Sequence, residues 1–398
     1  MKMKPSRLFY LDVIRALSAV LIVVYHFAGS IYLSGRWGGV DVLHGTINGS
    51  WGMTPVYCFF MVSGAALMHR YPAGEKLEIK AFYRKRFESI YPLFWIAYCL
   101  AFLSVFWRLG HLYDLPSWCL LWSFIGMDGW MVNWVPTFYM VGEWFLGSII
   151  ILYLIFPLVH RAWRANKHLA MAVCALAAAA LFWYHPFPMD IKQNPVIDLF
   201  YFLLGAWLEE MRGRYFVWPG QEKERCRGES LENEEGPPQK APDSAVDSAK
   251  GRAIFAWCLS LCVMAVWFLV PVTGKLPTME LTYSAQAAGL GMFLRQGFIF
   301  LCTVSFYVFL MGLSGGMERQ GKKGPHFGWI KKVILEISGK SYGVFLTHHV
   351  ISQMICLHFD CASLSKRETL VLLAMVFLAT WVMTLVIYQI WSYIKTRF

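Results

Sequence analysis

Eleven apolar runs divide this chain, near residues 9–32, 52–69, 83–107, 115–131, 138–160, 168–185, 196–211, 253–272, 292–314, 337–358 and 368–394. A helix needs about 20 largely apolar residues to cross the ~30 Å hydrocarbon core of a bilayer. Inside that core only a helix or a closed barrel satisfies its own backbone polar groups. Runs of this length therefore predict an all-α, multi-pass membrane protein folded as one bundle. Composition agrees: 15% of the residues are charged, against about 25% in an ordinary soluble domain.

The net charge of +11 does not point to nucleic acid. The basic residues sit in short loops at the ends of apolar runs, where the positive-inside rule places them. The partners implied at this level are membrane lipids. The basic N-terminus, MKMKPSR, runs into a segment too long and too polar for a cleaved signal core, so a retained first helix is expected. The ten cysteines show no CxxC spacing, and most lie within apolar runs, where they read as small hydrophobes. No pairing with histidine suggests a metal site.

Loop charge orients the runs. With the N-terminus inside, the 69–86 loop (Arg70, Lys76, Lys80, Arg84, Lys85, Arg86) also falls inside. The next basic loop, HRAWRANKH, falls inside only if one preceding run fails to cross. The segment at 115–131, with Pro116, Asp128 and Gly129, is the weakest. It is expected to be re-entrant or to lie on the outer surface, extending to about residue 135. The 212–252 loop, the ERQGKKGPHFGWIKK loop and the C-terminal KTRF then all fall inside. The prediction is about ten spanning helices with both termini cytoplasmic, in one integral-membrane domain over 1–398. Within it, the polar 212–252 stretch reads as a disordered cytoplasmic loop. No internal repeat is evident. Asn48 opens a formal glycosylation sequon that has meaning only in a eukaryotic secretory pathway.

The first run, DVIRALSAVLIVVYHF, carries three ionisable residues. At 100° per residue, Arg15 and His26 point within ~20° of one another, and Asp12 lies within about 60° of both. His26 lies roughly 16 Å beyond Arg15 along the axis. Ionisable side chains at membrane depth are costly and face a bundle interior or a watery cavity. For Asp12 and Arg15 a local i,i+3 ion pair is an equally good reading.

These residues resemble acyltransferase family 3, whose first helix carries Arg, ten residues, then His. FFMVSGAAL, with Ser63 and Gly64, is similar to the family's second helix. FYRKRFESIYP (Phe82 to Pro92) resembles its basic third-helix motif, GEWFLGSIIILYLIFP (Gly142 to Pro157) its Trp-to-Pro helix, and SYGVFLTHH (Ser341 to His349) its late Ser-Tyr…His segment. The matches run in family order over nearly the whole chain. Two positions depart: Ser89 stands where the third-helix motif often has a second arginine, and Ile149 and Ile150 stand where some members carry paired glutamates. The latter is closer to members found with exopolysaccharide genes.

The resemblance implies a bacterial cytoplasmic-membrane enzyme that moves an acetyl group from acetyl-CoA to a hydroxyl of a surface polysaccharide or its lipid-linked precursor. Such a transfer needs a base for the hydroxyl proton and a group to stabilise the developing oxyanion. His26 is the expected base, since imidazole titrates near neutrality, Glu143 is its candidate orienting acid, and Asp12 is counted with them among the catalytic candidates. Arg15, Arg84 and Arg86 are candidates for the phosphates of the acyl-CoA, which guanidinium forks match well; Arg84 and Arg86 read equally as topology anchors. Of the adjacent His348 and His349, about 100° apart on a helix, only one is expected to face the bundle, and by the family match it is His348. Ser63 reads as a nucleophile or, with Gly64, as a small-residue helix contact. Trp144, Tyr153 and Tyr342 are interfacial aromatics or the lining of a sugar cleft. A transporter of glycolipid or polysaccharide, without covalent chemistry, fits the same composition. Internal repeats would favour it.

Overall fold

The structure is a computed structural model. It describes residues 7–33, 51–72, 76–111, 114–138, 141, 143–215, 251, 254–263, 289–320, 325–361 and 363–397. It is all-helical there: α1 Phe9–Leu33, α2 Met53–Arg70, α3 Ile79–Leu109, α4 Leu120–Ile125, α5 Asp128–Met131, α6 Glu143–Trp183, α7 Pro195–Tyr215, α8 Ile254–Val263, α9 Leu290–Gln320, α10 Pro325–His358 and α11 Lys366–Arg397. Asn48 and nearly all of the expected 212–252 loop lie outside the described residues, as does the end of the 253–272 run.

Among the described residues, five helical stretches are long and apolar enough to cross a membrane: Phe9–Ile31, Ile79–Trp107, Trp144–Trp183, Leu290–Gly315 and Lys366–Arg397. The expected number was ten. Of the five not counted, the 253–272 run is described only over Ile254–Val263, too short to qualify, and the absence of the other four has two physical causes. Helices α2, α7 and α10 lie among other helices and carry polar residues that dilute their apolarity, such as Asp198, Glu209 and Glu210 on α7, or Lys331, Lys332, Glu336 and His348 on α10. In addition, the two expected runs at 138–160 and 168–185 follow one another as two arms of α6, separated only by a kink, and count as one stretch. That stretch is about 60 Å long at ~1.5 Å per residue, twice the thickness of the hydrocarbon core. The expected loop HRAWRANKH is helical except at Asn166, where extended backbone (φ −160°, ψ 98°) kinks the helix. There the Asn166 Oδ1 accepts from the Leu169 N–H at 3.0 Å, capping the second arm. Likewise α10 begins at Pro325, so much of the expected ERQGKKGPHFGWIKK loop is its first turns. Proline suits that position because its missing N–H would have no helical partner.

The 115–131 segment does not span. It breaks into a 3₁₀ turn (Ser117–Cys119), α4 and α5, with Gly126 in the left-handed region (φ 76°) between the two helices. One face of α3 clamps it. Tyr91 donates to the Ile125 carbonyl (3.1 Å), Trp95 to that of Phe124 (2.9 Å), and Tyr98 to Ser123 Oγ (2.7 Å) and Asp128 Oδ2 (3.2 Å).

Helix α1 is central, packed against α2, α9, α10 and α11. Two parallel pairs organise the interior. Along α2 and α7, Tyr57 stacks on Tyr201 (3.8 Å, 10°). A Cβ on Gly64 would lie 1.8 Å from the Phe202 carbonyl oxygen, and one on Gly205 2.0 Å from that of Met61. Lipid tails are as apolar as leucine, so helices in a bilayer associate through such close backbone contact. The second pair, α1 with α10, holds the polar residues.

Candidate active site

Parallel register brings the Asp12 end of α1 to Ser338 of α10 and the His26 end to His348, His349 and Ser352. At the lower level Asp12, 3% exposed, is the hub. Arg7 grips it through Nε–Oδ2 (2.7 Å) and Nη2–Oδ1 (2.8 Å), and Ser338 donates to Oδ1 at 2.6 Å. Arg15 Nη1 lies 3.7 Å from the same oxygen and donates to Ser338 Oγ at 3.4 Å. The i,i+3 pair thus forms, yet it serves a four-residue network that ties the two helices together. Paired charges and satisfied lone pairs are what make such burial tolerable.

Fourteen residues along α1 is the imidazole layer. The ring of His26 sits 4.8 Å from that of His348 and 4.9 Å from that of His349. The expectation that only one of the adjacent histidines faces the bundle is corrected: both reach His26, because its ring lies between their two directions. His348 is fully buried. Its Nδ1 lies 2.8 Å from the Phe345 carbonyl oxygen and 3.1 Å from that of Val344. Carbonyls only accept, so the Nδ1 carries a proton, and it is Nε2 that holds the lone pair whenever the ring is neutral. His349 Nε2 accepts from the Gln353 amide at 3.3 Å. Tyr25 packs edge-on against His26 (5.3 Å) and against the buried Trp51 (5.1 Å). Above the layer, Ser30 and Ser352 hydroxyls meet at 3.2 Å.

Two further groups complete the site. Arg86 turns inward from α3, its guanidinium over the rings of Tyr153 (5.4 Å) and Phe82 (5.9 Å). Its Nε is buried with no hydrogen-bond partner among the described residues. Tyr153 also faces Arg15. Tyr342, on α10, donates to the Ile90 carbonyl of α3 at 3.2 Å. Arg15, Arg86, Tyr153 and Tyr342 therefore share the region between α1, α3, α6 and α10. Arg84 does not join them: its side chain is 72% exposed and pairs with Glu88 at 3.8 Å on the opposite face. Trp144 is half-buried against the main core. Ser63 is half-buried on α2 beside the Gly64 contact. Glu143 opens α6, but its side chain lies outside the described residues. Among the described residues no group of three or more His, Cys, Asp or Glu is placed to hold a metal ion.

Sequence reasoning missed Arg7, Ser338, Tyr25 and Trp51. A signal for Ser338 was present: it precedes His349 by eleven residues, the spacing of Arg15 and His26, as two helices in parallel register require. It also missed Asp198, fully buried on α7 next to Ser148 and Tyr201.

The chain is similar to a protein described as acyltransferase MdmB from Streptomyces mycarofaciens, with 28% identity over 222 residues. The match covers 53% of this chain and 55% of that relative, so about half of each is aligned. No solved structure matches. The family model described as an acyltransferase domain matches residues 8–391 and so takes in both helices of the imidazole layer and, Arg7 apart, the network beneath it: the chain belongs to this acyltransferase family.

Proposed function

We propose that this chain is a membrane O-acyltransferase that moves an acetyl group from cytoplasmic acetyl-CoA to a hydroxyl of a surface polysaccharide or its lipid-linked precursor. Its place is the bacterial cytoplasmic membrane, with both termini on the cytoplasmic side. The observation that carries this reading is the meeting of His26, His348 and His349 inside the bundle, above the Arg7–Asp12–Arg15–Ser338 network. Membership of the acyltransferase family supports it.

In this reading the acceptor oxygen attacks the thioester carbonyl, the C–S bond breaks, and the hydroxyl proton passes by way of an imidazole to the departing thiolate. The products are the ester and free CoA. His26 is the base, with Glu143 its candidate orienting acid. A base matched to neutral pH contributes about 10²–10⁴ in rate. The fixed Nδ1–H of His348 aims its other nitrogen away from the backbone, toward the imidazole layer. Arg15 and Arg86 receive the phosphates of the donor, as planar guanidinium forks do; Arg84 takes no part. Asp12 positions Arg15 through Ser338 and does not touch the reacting atoms. Tyr342, Trp144 and Ser63 line the approach of the sugar.

The test is the purified full chain with acetyl-CoA radiolabelled in the acetyl group. Release of free CoA together with label on an added glycan acceptor supports the reading. Movement of glycolipid across proteoliposomes with no thioester cleavage would instead establish a carrier.

A further inference from the structure

A cavity of about 1000 Å³ lies on the other side of the α1–α10 seam, walled by α1, α10 and α11. Its wall is apolar along Val20, Val23, Val344, Phe377 and Leu378, and its one end is basic, with Arg7 and Lys332 beside the exposed Trp329. The charges at that end do not cancel. Glu336, the acid on the lining, is bonded to Lys340. Arg7 uses its Nε and Nη2 edge on Asp12 and keeps the donors of Nη1. Lys332 is exposed. Lys332 and Val344 lie about 18 Å apart along α10, close to the ~15 Å depth of one leaflet. By the positive-inside rule the basic end belongs to the cytoplasmic leaflet, and a tryptophan beside lysine marks the level of the headgroups.

We propose that this groove is a binding site for an anionic phospholipid of the cytoplasmic leaflet, its phosphate between Arg7 and Lys332 and one acyl chain along the apolar wall. Cationic charge, an interfacial tryptophan and an apolar channel one leaflet deep match that amphiphile. A zwitterionic lipid offers no net charge to the basic end. The chain ends against Val23 and Val344, three and four residues before His26 and His348. The occupant thus braces the seam that holds the imidazoles, from the side away from Arg86 and Tyr153. The site does not depend on the acyl-transfer reading.

The test is lipid binding to the delipidated full chain in detergent, followed by native mass spectrometry. Phosphatidylglycerol, phosphatidylcholine and soluble glycerol-3-phosphate are titrated in turn. Lys332→Glu reverses the charge, Leu378→Trp fills the groove, and Arg161→Glu is a control at a basic position elsewhere. Saturable binding of phosphatidylglycerol is expected for the wild type and the control, weakened about five-fold or more by Lys332→Glu and abolished by Leu378→Trp. Phosphatidylcholine is expected to bind at least five-fold more weakly, and glycerol-3-phosphate not at all. Equal binding of the two lipids, or phosphatidylglycerol binding that neither groove variant reduces, overturns the proposal. Glycerol-3-phosphate binding as tight as the lipid would overturn it too, by assigning the basic end to a soluble phosphate.

Discussion

The α2–α7 and α1–α10 pairs are both parallel and both buried, yet they are built from opposite materials. The first brings backbone to backbone at Gly64 and Gly205 and stacks two tyrosines, leaving no room between the helices. The second is held apart by side chains in polar layers: the Asp12 network, the three imidazoles and the Ser30–Ser352 contact. Its glycines make no such contact: a Cβ on Gly29 of α1 or Gly339 of α10 would meet nothing within 4 Å, and Gly343 does not face α1. A Cβ there would meet side-chain atoms of Thr384 and Tyr388 on α11, at 2.7 and 2.8 Å. One pair fixes the scaffold by shape, where a single methyl cannot be absorbed. The other trades packing for polar side chains whose buried charges are tolerated because they are paired.

That contrast can be broken at several points. The largest expected effect is Gly64→Val. The added atoms strike a carbonyl oxygen that belongs to a helix, so α2 and α7 must separate. Overpacking typically costs about 1–3 kcal/mol, occasionally more, and the close contact is lost as well. Little monodisperse protein should survive size-exclusion chromatography in detergent. Normal yield and melting temperature would show that the glycine contact is dispensable. Next is His348→Gln. Activity should fall at least ten-fold, within the range that acid–base groups contribute, while yield stays near wild type. A collapse in yield would make His348 a packing residue like Tyr201. Ser338→Ala comes third: it removes the hydrogen bond to the ion-paired Asp12 carboxylate, of a kind worth about 1.5–3 kcal/mol, and the one Arg15 donates to Ser338. It should raise the KM for acetyl-CoA several-fold with little change in kcat, because Arg15 loses its bridge to α10. An unchanged KM would detach the network from the donor. The smallest effect is that of Arg84→Ala. This exposed i,i+4 pair with Glu88 contributes about 0.3–0.5 kcal/mol, and donor KM should stay within two-fold. A large rise would return Arg84 to the donor site.

Much of this was legible in the sequence, for identifiable reasons. The eleven-residue spacing of Arg15 and His26 is set by helix geometry alone, so their shared face was readable before any packing was known. The break at 115–131 was announced by Pro116 and by Asp128 and Gly129, residues that cannot continue an apolar span. Other features depend on which helix lies beside which. The convergence of His348 and His349 on one ring follows from where α1 sits against α10, and their 100° separation on an isolated helix argued the other way. Arg7 lies in the basic stretch just ahead of α1, and its grip on Asp12 depends on how the chain enters that helix. The HRAWRANKH stretch misled because its charges resemble a loop, whereas its alanines and arginines are good helix formers and only Asn166 departs from helical backbone. Among the described residues fewer helices meet the apolar criterion than expected, in part because α2, α7 and α10 lie inside the bundle, where they are freed from matching lipid and carry polar residues.

The most direct measurement is single-turnover acetyl transfer from radiolabelled acetyl-CoA by His26→Ala, prepared beside wild type and matched to it in thermal stability and chromatographic behaviour. The account predicts a transfer rate lower by about two orders of magnitude or more, with acetyl-CoA still bound at near wild-type affinity. A folded His26→Ala protein that acetylates its acceptor at the wild-type rate would contradict it, and the imidazole layer would then be a structural contact between α1 and α10.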